Sequence, residues 1–113
     1  MTRLFHITTH PALKSPIIGQ EFTLVPGGQC AEGIGVYFSE GQPVSLSTAE
    51  GTRQSEPTGI VVIEVDSPSD WWRSKASKAK KFGKPRTWHT AGRDLPLTIR
   101  SVQDNYIHCT ING

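Results

Sequence analysis

Apolar side chains come in short runs separated by turn residues, and no run keeps a helical period for long. Leu4, Phe5 and Ile7 mark a first strand over residues 3–8. It ends at His10-Pro11, because the residue before a proline is pushed out of the helical region and proline has no N–H to donate. Residues 13–28 read as loop or short extended chain, punctuated by Pro16, Gly19, Pro26, Gly27 and Gly28. Val36, Tyr37 and Phe38 centre a short strand over residues 35–39. The strongest strand covers residues 59–66, where Ile60, Val61, Val62, Ile63 and Val65 show little alternation. A β-branched run of that kind is buried on both faces and lies centrally in its sheet. Residues 87–90 and 105–111 predict two further strands, and residues 95–102 a short turn or helix around Pro96.

Two segments predict helices. In residues 43–50, Pro43 takes an early helical position and Gly51 is the stop. Residues 52–58 form a polar loop. In residues 67–82, Ser67 is the N-cap, Pro68 the first helical residue and Asp70 the partner that closes a capping box. Trp72, Ala76 and Ala79 then make a narrow apolar stripe, and Lys75, Lys78, Lys80 and Lys81 fill the remainder. Gly83 and Pro85 end it. The sum is an α+β fold: a split or bent, mostly antiparallel sheet with two short helices.

Composition narrows this picture without changing it. The chain of 113 residues predicts one domain over 1–113, able to close a core without staples. With 11 Gly and 8 Pro it turns too often for a bundle of long helices. No apolar run approaches a membrane span, and the first residues lack the apolar stretch of a signal peptide. The expected setting is cytoplasmic, or the cytoplasm of a target cell. The cysteines, Cys30 and Cys109, stand apart, so no zinc-ligand spacing exists and no metal is expected.

Charge is split along the chain. Residues 1–70 carry three bases against eight acids, a net of −5; residues 71–113 carry nine bases against two acids, a net of +7. A basic half of this kind suits a phosphate-bearing partner, and a solvated basic helix explains it as well. Of the neighbouring Trp71 and Trp72, about 100° apart on a helix, Trp72 fits the core and Trp71 a partner interface.

Two short segments carry candidate chemistry. In Leu4-Phe5-His6-Ile7-Thr8, a strand puts His6 and Thr8 on one face, and together they offer donors and acceptors to an amide or a ribose. In Gly33-Ile34-Gly35-Val36-Tyr37-Phe38-Ser39, the glycines permit close backbone approach, and Tyr37 and Ser39 share a face. Taken singly, a strand histidine is more often structural and a Tyr-Phe pair more often core.

Together, His-x-Thr on a first strand and Gly-x-Gly-Val-Tyr-Phe-Ser on a second resemble the ADP-ribosyltransferase fold. The likeness is to its histidine-bearing branch, that of diphtheria-type toxins and poly(ADP-ribose) polymerases, and it covers most of the chain in order. The resemblance implies NAD as substrate and a protein or nucleic-acid target that receives ADP-ribose, as in a toxin or effector. It also implies a site in which His6, Thr8, Gly35, Tyr37 and Ser39 hold the dinucleotide: His6 binds the adenosine ribose, the strand with Tyr37 walls the nicotinamide pocket, and His6, Tyr37 and Asp94 are the candidate catalytic residues. The four side chains His6, Thr8, Tyr37 and Ser39 are expected to converge in one cleft.

The family places a glutamate at the start of its penultimate strand. Here that position falls on Thr87 or Trp88, and neither is an acid. Three readings stay open. Asp94 reaches the ribose from the turn after Gly92. Or His89 and Arg93 serve a phosphate-directed chemistry, as in the RNA 2′-phosphotransferases of the same fold. Or the chain is an inactive binding module whose basic face, residues 73–86, engages nucleic acid or an acidic protein.

Overall fold

The structure, a computed structural model, describes residues 2–26, 35–43, 57–66, 72–74 and 86–112. These residues hold eight strands: β1 (Thr2–Thr8), β2 (Glu21–Leu24), β3 (Tyr37–Ser39), β4 (Gly59–Val65), β5 (Arg73–Ser74), β6 (Thr87–His89), β7 (Leu95–Gln103) and β8 (Tyr106–Ile111). A single 3₁₀ turn, Pro11–Leu13, is the only helical element among them. The strands join one sheet in the order β2-β7-β8-β4-β1-β3-β6-β5. All neighbours are antiparallel except β4 and β8, which run parallel.

The expected α+β class is therefore corrected to a mixed sheet. Two elements account for most of the difference. Residues 95–102 are not a turn or helix but part of the longest strand, in which Leu95, Leu97 and Ile99 are fully buried on one face. Pro96 misleads because proline usually marks a break. It pairs with Thr23 of β2, one residue before the ladder with β8 begins at Leu97. The helix over 67–82 is overturned at Arg73–Ser74, which pair with His89 and Trp88 of β6. A capping signal is a local preference of about 1 kcal/mol, and pairing to a neighbouring strand outweighs it. The remainder of that segment, with Trp71, and the helix over 44–50 lie outside the described residues, as does Cys30.

Strand β4 lies between β1 and β8 as its β-branched run predicts, with Ile60, Val61, Val62 and Ile63 all buried. Its register with β1 sets the two faces. Leu4, His6 and Thr8 stand opposite Ile63, Val61 and Gly59; Phe5 and Ile7 stand opposite Val62 and Ile60. The first face carries the main core, where Leu4, Phe38, Val61, Ile63, Leu95, Leu97, Ile99 and Ile107 pack with Trp72. The second carries a smaller cluster of Phe5, Ile60 and Val62, with Ile7 and Tyr106 against it. Between Ile99 and Ser101 a bulge shifts the β7–β8 register, so that Val102 again meets Ile107.

The sheet is strongly curled, and chain length alone requires it. From β6 to β7 there are five neighbour steps in the sheet. Laid flat they would span about 24 Å at ~4.8 Å per strand. The link from His89 to Leu95 reaches at most ~22 Å when fully extended. It also contains a turn in which Ala91 and Gly92 have φ of 52° and 86°. Only a sheet that bends back on itself brings the two strands within reach, with the main core on its concave side. The same bend brings β2 over the end of β1.

Candidate functional site

At the Thr8 end of β1 the curl leaves an open cleft of about 500 Å³. His6, Thr8, Thr9, His10 and Thr23 supply its polar lining, and Ile7, Pro11, Leu24 and Val25 its apolar walls. The chain is anchored there by hydroxyls. Thr8 Oγ1 accepts the His10 N–H at 3.1 Å, and Thr58 Oγ1 donates to the His10 carbonyl at 2.7 Å. The Thr58 N–H reaches the Thr8 carbonyl at 2.7 Å. These bonds turn β1 into the 3₁₀ turn at a fixed angle, so His6, Thr8 and His10 keep their positions around the cleft.

His6 joins the two segments singled out in the sequence. Its Nδ1 lies 2.6 Å from the carbonyl oxygen of Tyr37, and its ring lies 5.1 Å from that of Phe38. A carbonyl only accepts, so Nδ1 carries the proton, and in the neutral ring Nε2 is the acceptor. The first and second motif strands are thus direct neighbours.

The side chains, however, do not all converge. Ser39 stands opposite Phe5, so alternation puts Ser39 and Tyr37 on the face of Phe5 and Ile7, away from His6 and Thr8. Tyr37 stacks on His89, with centroids 4.7 Å apart and planes at 24°. Ser39 Oγ accepts the Gly41 N–H at 3.0 Å and caps the turn after β3. The expected single cleft of four side chains is corrected: His6 and Thr8 line it, while Tyr37 contributes its carbonyl from the neighbouring strand. Period-2 alternation gives co-facial pairs within each strand, and only the register between strands decides whether two pairs share a face.

Gly35 is required by packing. A Cβ there would lie 2.8 Å from Nδ1 of the buried His89 ring. That Nδ1 accepts the Ala91 N–H at 3.1 Å. Next to it, the fully buried Thr90 holds three strands' ends together. Its Oγ1 accepts the Val36 N–H at 3.0 Å and donates to the Arg93 carbonyl at 2.6 Å. His89 is therefore built into the wall behind Tyr37.

Asp94 is exposed and does not line the cleft. Its placement still bears on the site. Leu95 pairs with Leu24, so Asp94 continues the register beside Val25, which forms part of the cleft wall. At the glutamate position of the family, the Trp88 indole N–H donates to Glu40 Oε2 at 2.8 Å, and Arg86 lies 4.0 Å from the same oxygen. Glu40 is the acid that sequence reading missed there; it directly follows Ser39. It lies level with Leu4, beyond His6 on the side away from Thr8, and so is outside the cleft. Of the basic face 73–86, residues 75–85 lie outside the described residues; Arg86 sits 5.4 Å over the Trp88 ring. Glu64 forms an exposed pair with Arg3 at 2.9 Å, at the other end of β1.

Among the described residues no group of three or more His, Cys, Asp or Glu is placed to hold a metal ion. None of their helices is long and apolar enough to cross a membrane. Cys109 is buried, which pushes its thiol up to about 12 and makes it a poor nucleophile. No family model, curated protein or solved structure matches this chain.

Proposed function

We propose that the protein binds NAD in the cleft at the Thr8 end of β1 and transfers ADP-ribose to a macromolecular target. The observation that carries the reading is the His6–Tyr37 bond. It makes the His-x-Thr and Gly-x-Gly-Val-Tyr-Phe-Ser segments neighbouring strands and holds the His6 ring at the cleft. A cleft of about 500 Å³ is in the range that small-molecule ligands occupy.

The chemistry asks little of the protein in acid–base terms. The bond between ribose C1′ and the pyridinium nitrogen breaks, its electron pair leaving with neutral nicotinamide. The acceptor nucleophile forms the new bond to C1′ and releases its proton. What accelerates this is a fixed sugar and a negative charge near the developing oxocarbenium. In this reading Asp94, on the rim beside Val25, supplies that charge.

Calorimetric titration with NAD tests binding, and labelled NAD with a cell lysate tests transfer. The expected result is saturable binding that His6→Ala weakens about tenfold, the size of one charge-independent hydrogen bond to ligand. Absence of NAD binding, together with RNA or DNA binding that falls steeply with salt, would instead support the binding-module reading.

A further inference from the structure

We infer that the free edge of β2 is a docking site for an extended peptide of alternating apolar and basic residues, which adds to the sheet as a further strand. β2 ends the sheet on one side and, among the described strands, pairs only with β7. The bonding pattern fixes which of its groups face away. The Ile99 N–H donates to the Gln20 carbonyl at 2.9 Å, and the Gly19 N–H donates to the Ile99 carbonyl at 2.8 Å. Alternation along the pair then gives Gln20, Phe22 and Leu24 the bonds to β7, and leaves Glu21 and Thr23 without them. Pro96 agrees with this pattern, because it stands opposite Thr23, where no N–H is needed. The backbone N–H and C=O groups of Glu21 and Thr23 therefore point outward, and no described group bonds to them.

Edge strands are ordinarily blunted by lysine, proline or a bulge. Residues 17–25 contain neither lysine nor proline, with Pro16 and Pro26 standing just outside. Apolar surface flanks the edge instead. Ile17, Ile18 and Val25 are 64%, 67% and 70% exposed, three of the four large apolar side chains left exposed among the described residues. Outward backbone groups between apolar side chains are what an added strand uses: main-chain bonds hold it and its alternate side chains select it. Charge sets the class. Residues 17–25 carry one acid, the exposed Glu21, and no base. Opposite charges across a strand pair attract, so lysine or arginine suits the position facing Glu21. A nucleic-acid backbone would meet an acid there and no base, and a second copy would bring another Glu21. Thr23 and Val25 also line the cleft, so under the NAD reading the peptide is the target, held at the cleft mouth; the docking itself does not depend on NAD.

Amide hydrogen exchange in the unmodified protein, without NAD, tests the inference. The probe is a capped eight-residue peptide alternating lysine and valine. At millimolar peptide the Glu21 and Thr23 amides should exchange about tenfold more slowly. A peptide with the same side chains, N-methylated at every residue, has no backbone donor and should protect neither. Unchanged exchange with the first peptide, or equal protection by the methylated one, overturns the inference. Equal protection by a glutamate–valine peptide overturns the basic class. Protection that rises with protein concentration, with no peptide present, gives the edge to a second copy and overturns it as well. Thr23→Pro is the second arm. It removes one outward N–H and none that bonds to β7, and proline is tolerated on an edge strand. Affinity for the lysine–valine peptide should fall about tenfold, the size of one hydrogen bond, and unchanged affinity in the folded variant overturns the inference. Failure in either arm leaves NAD binding to its own titration.

Discussion

The two sides of the β1–β3 junction are built from the same residue types and do opposite things. On the cleft side, His6, Thr8 and His10 have one polar edge each committed to backbone and stand around open space. On the other side, Tyr37 and His89 stack on one another, His89 is buried, and Gly35 is bare so that the ring fits. The first arrangement lines an open cleft and the second is a wall. What separates them is one register choice, Phe5 opposite Ser39, which divides four polar side chains between two faces. Histidine in a strand thus says little by itself; the register of its strand decides whether it lines a cleft or fills a wall.

The sharpest way to break the wall without touching the cleft is Thr90→Val. It leaves the buried Val36 N–H without its hydroxyl acceptor and removes the bond that ties Thr90 to the Arg93 carbonyl. The expected cost is about 3 kcal/mol in urea unfolding, since each orphaned group costs about 1–3 kcal/mol. Should the loss be under 1 kcal/mol, the hydroxyl is not what fixes this corner. On the cleft side, Asp94→Asn should lower transfer on the order of a hundredfold with little change in NAD affinity. Turnover near wild type, measured with labelled NAD, would make Asp94 a turn residue only.

Gly35→Ala sharpens the contrast further. The added methyl meets His89 Nδ1 at 2.8 Å, and relief requires the Tyr37–His89 stack to move. Overpacking of this kind costs about 2 kcal/mol, seen as a lower melting temperature. NAD affinity measured well below the melt should fall less than stability does, because the His6 ring is on the other face. The smallest effect at neutral pH belongs to Cys109, in the concave core. Burial pushes its thiol up from 9.0 to about 12 in the folded state. Between those values the unfolded state has released a proton that the folded state retains. Stability is therefore unaffected below pH 9 and falls as pH rises from about 9 to 12. Denaturation midpoints of wild type and Cys109→Ser across that range check the sign.

Much of this was legible from residue order. The β-branched run of residues 60–65 gave a central buried strand, and His6 and Thr8 share a face because alternation within a strand is a property of the backbone. The break at His10-Pro11 is likewise local. Trp72 reads as core and is core, though from an extended segment and not from a helix. Leu95, Leu97 and Ile99 alternate plainly, yet Pro96 among them suggests a break that the pairing with β2 and β8 overrides.

What the chain order alone determined, then, is a set of short strands and which side chains within each share a face. The tertiary structure decided how those strands stand against one another. Register between β1 and β3 sent Tyr37 and Ser39 away from His6. The curl forced by a five-residue link from β6 to β7 brought β2 and Val25 to the Thr8 end, far from their sequence neighbours. Both are long-range outcomes. They depend on burying one continuous apolar face and on the finite reach of short connections, and no window of sequence contains either quantity.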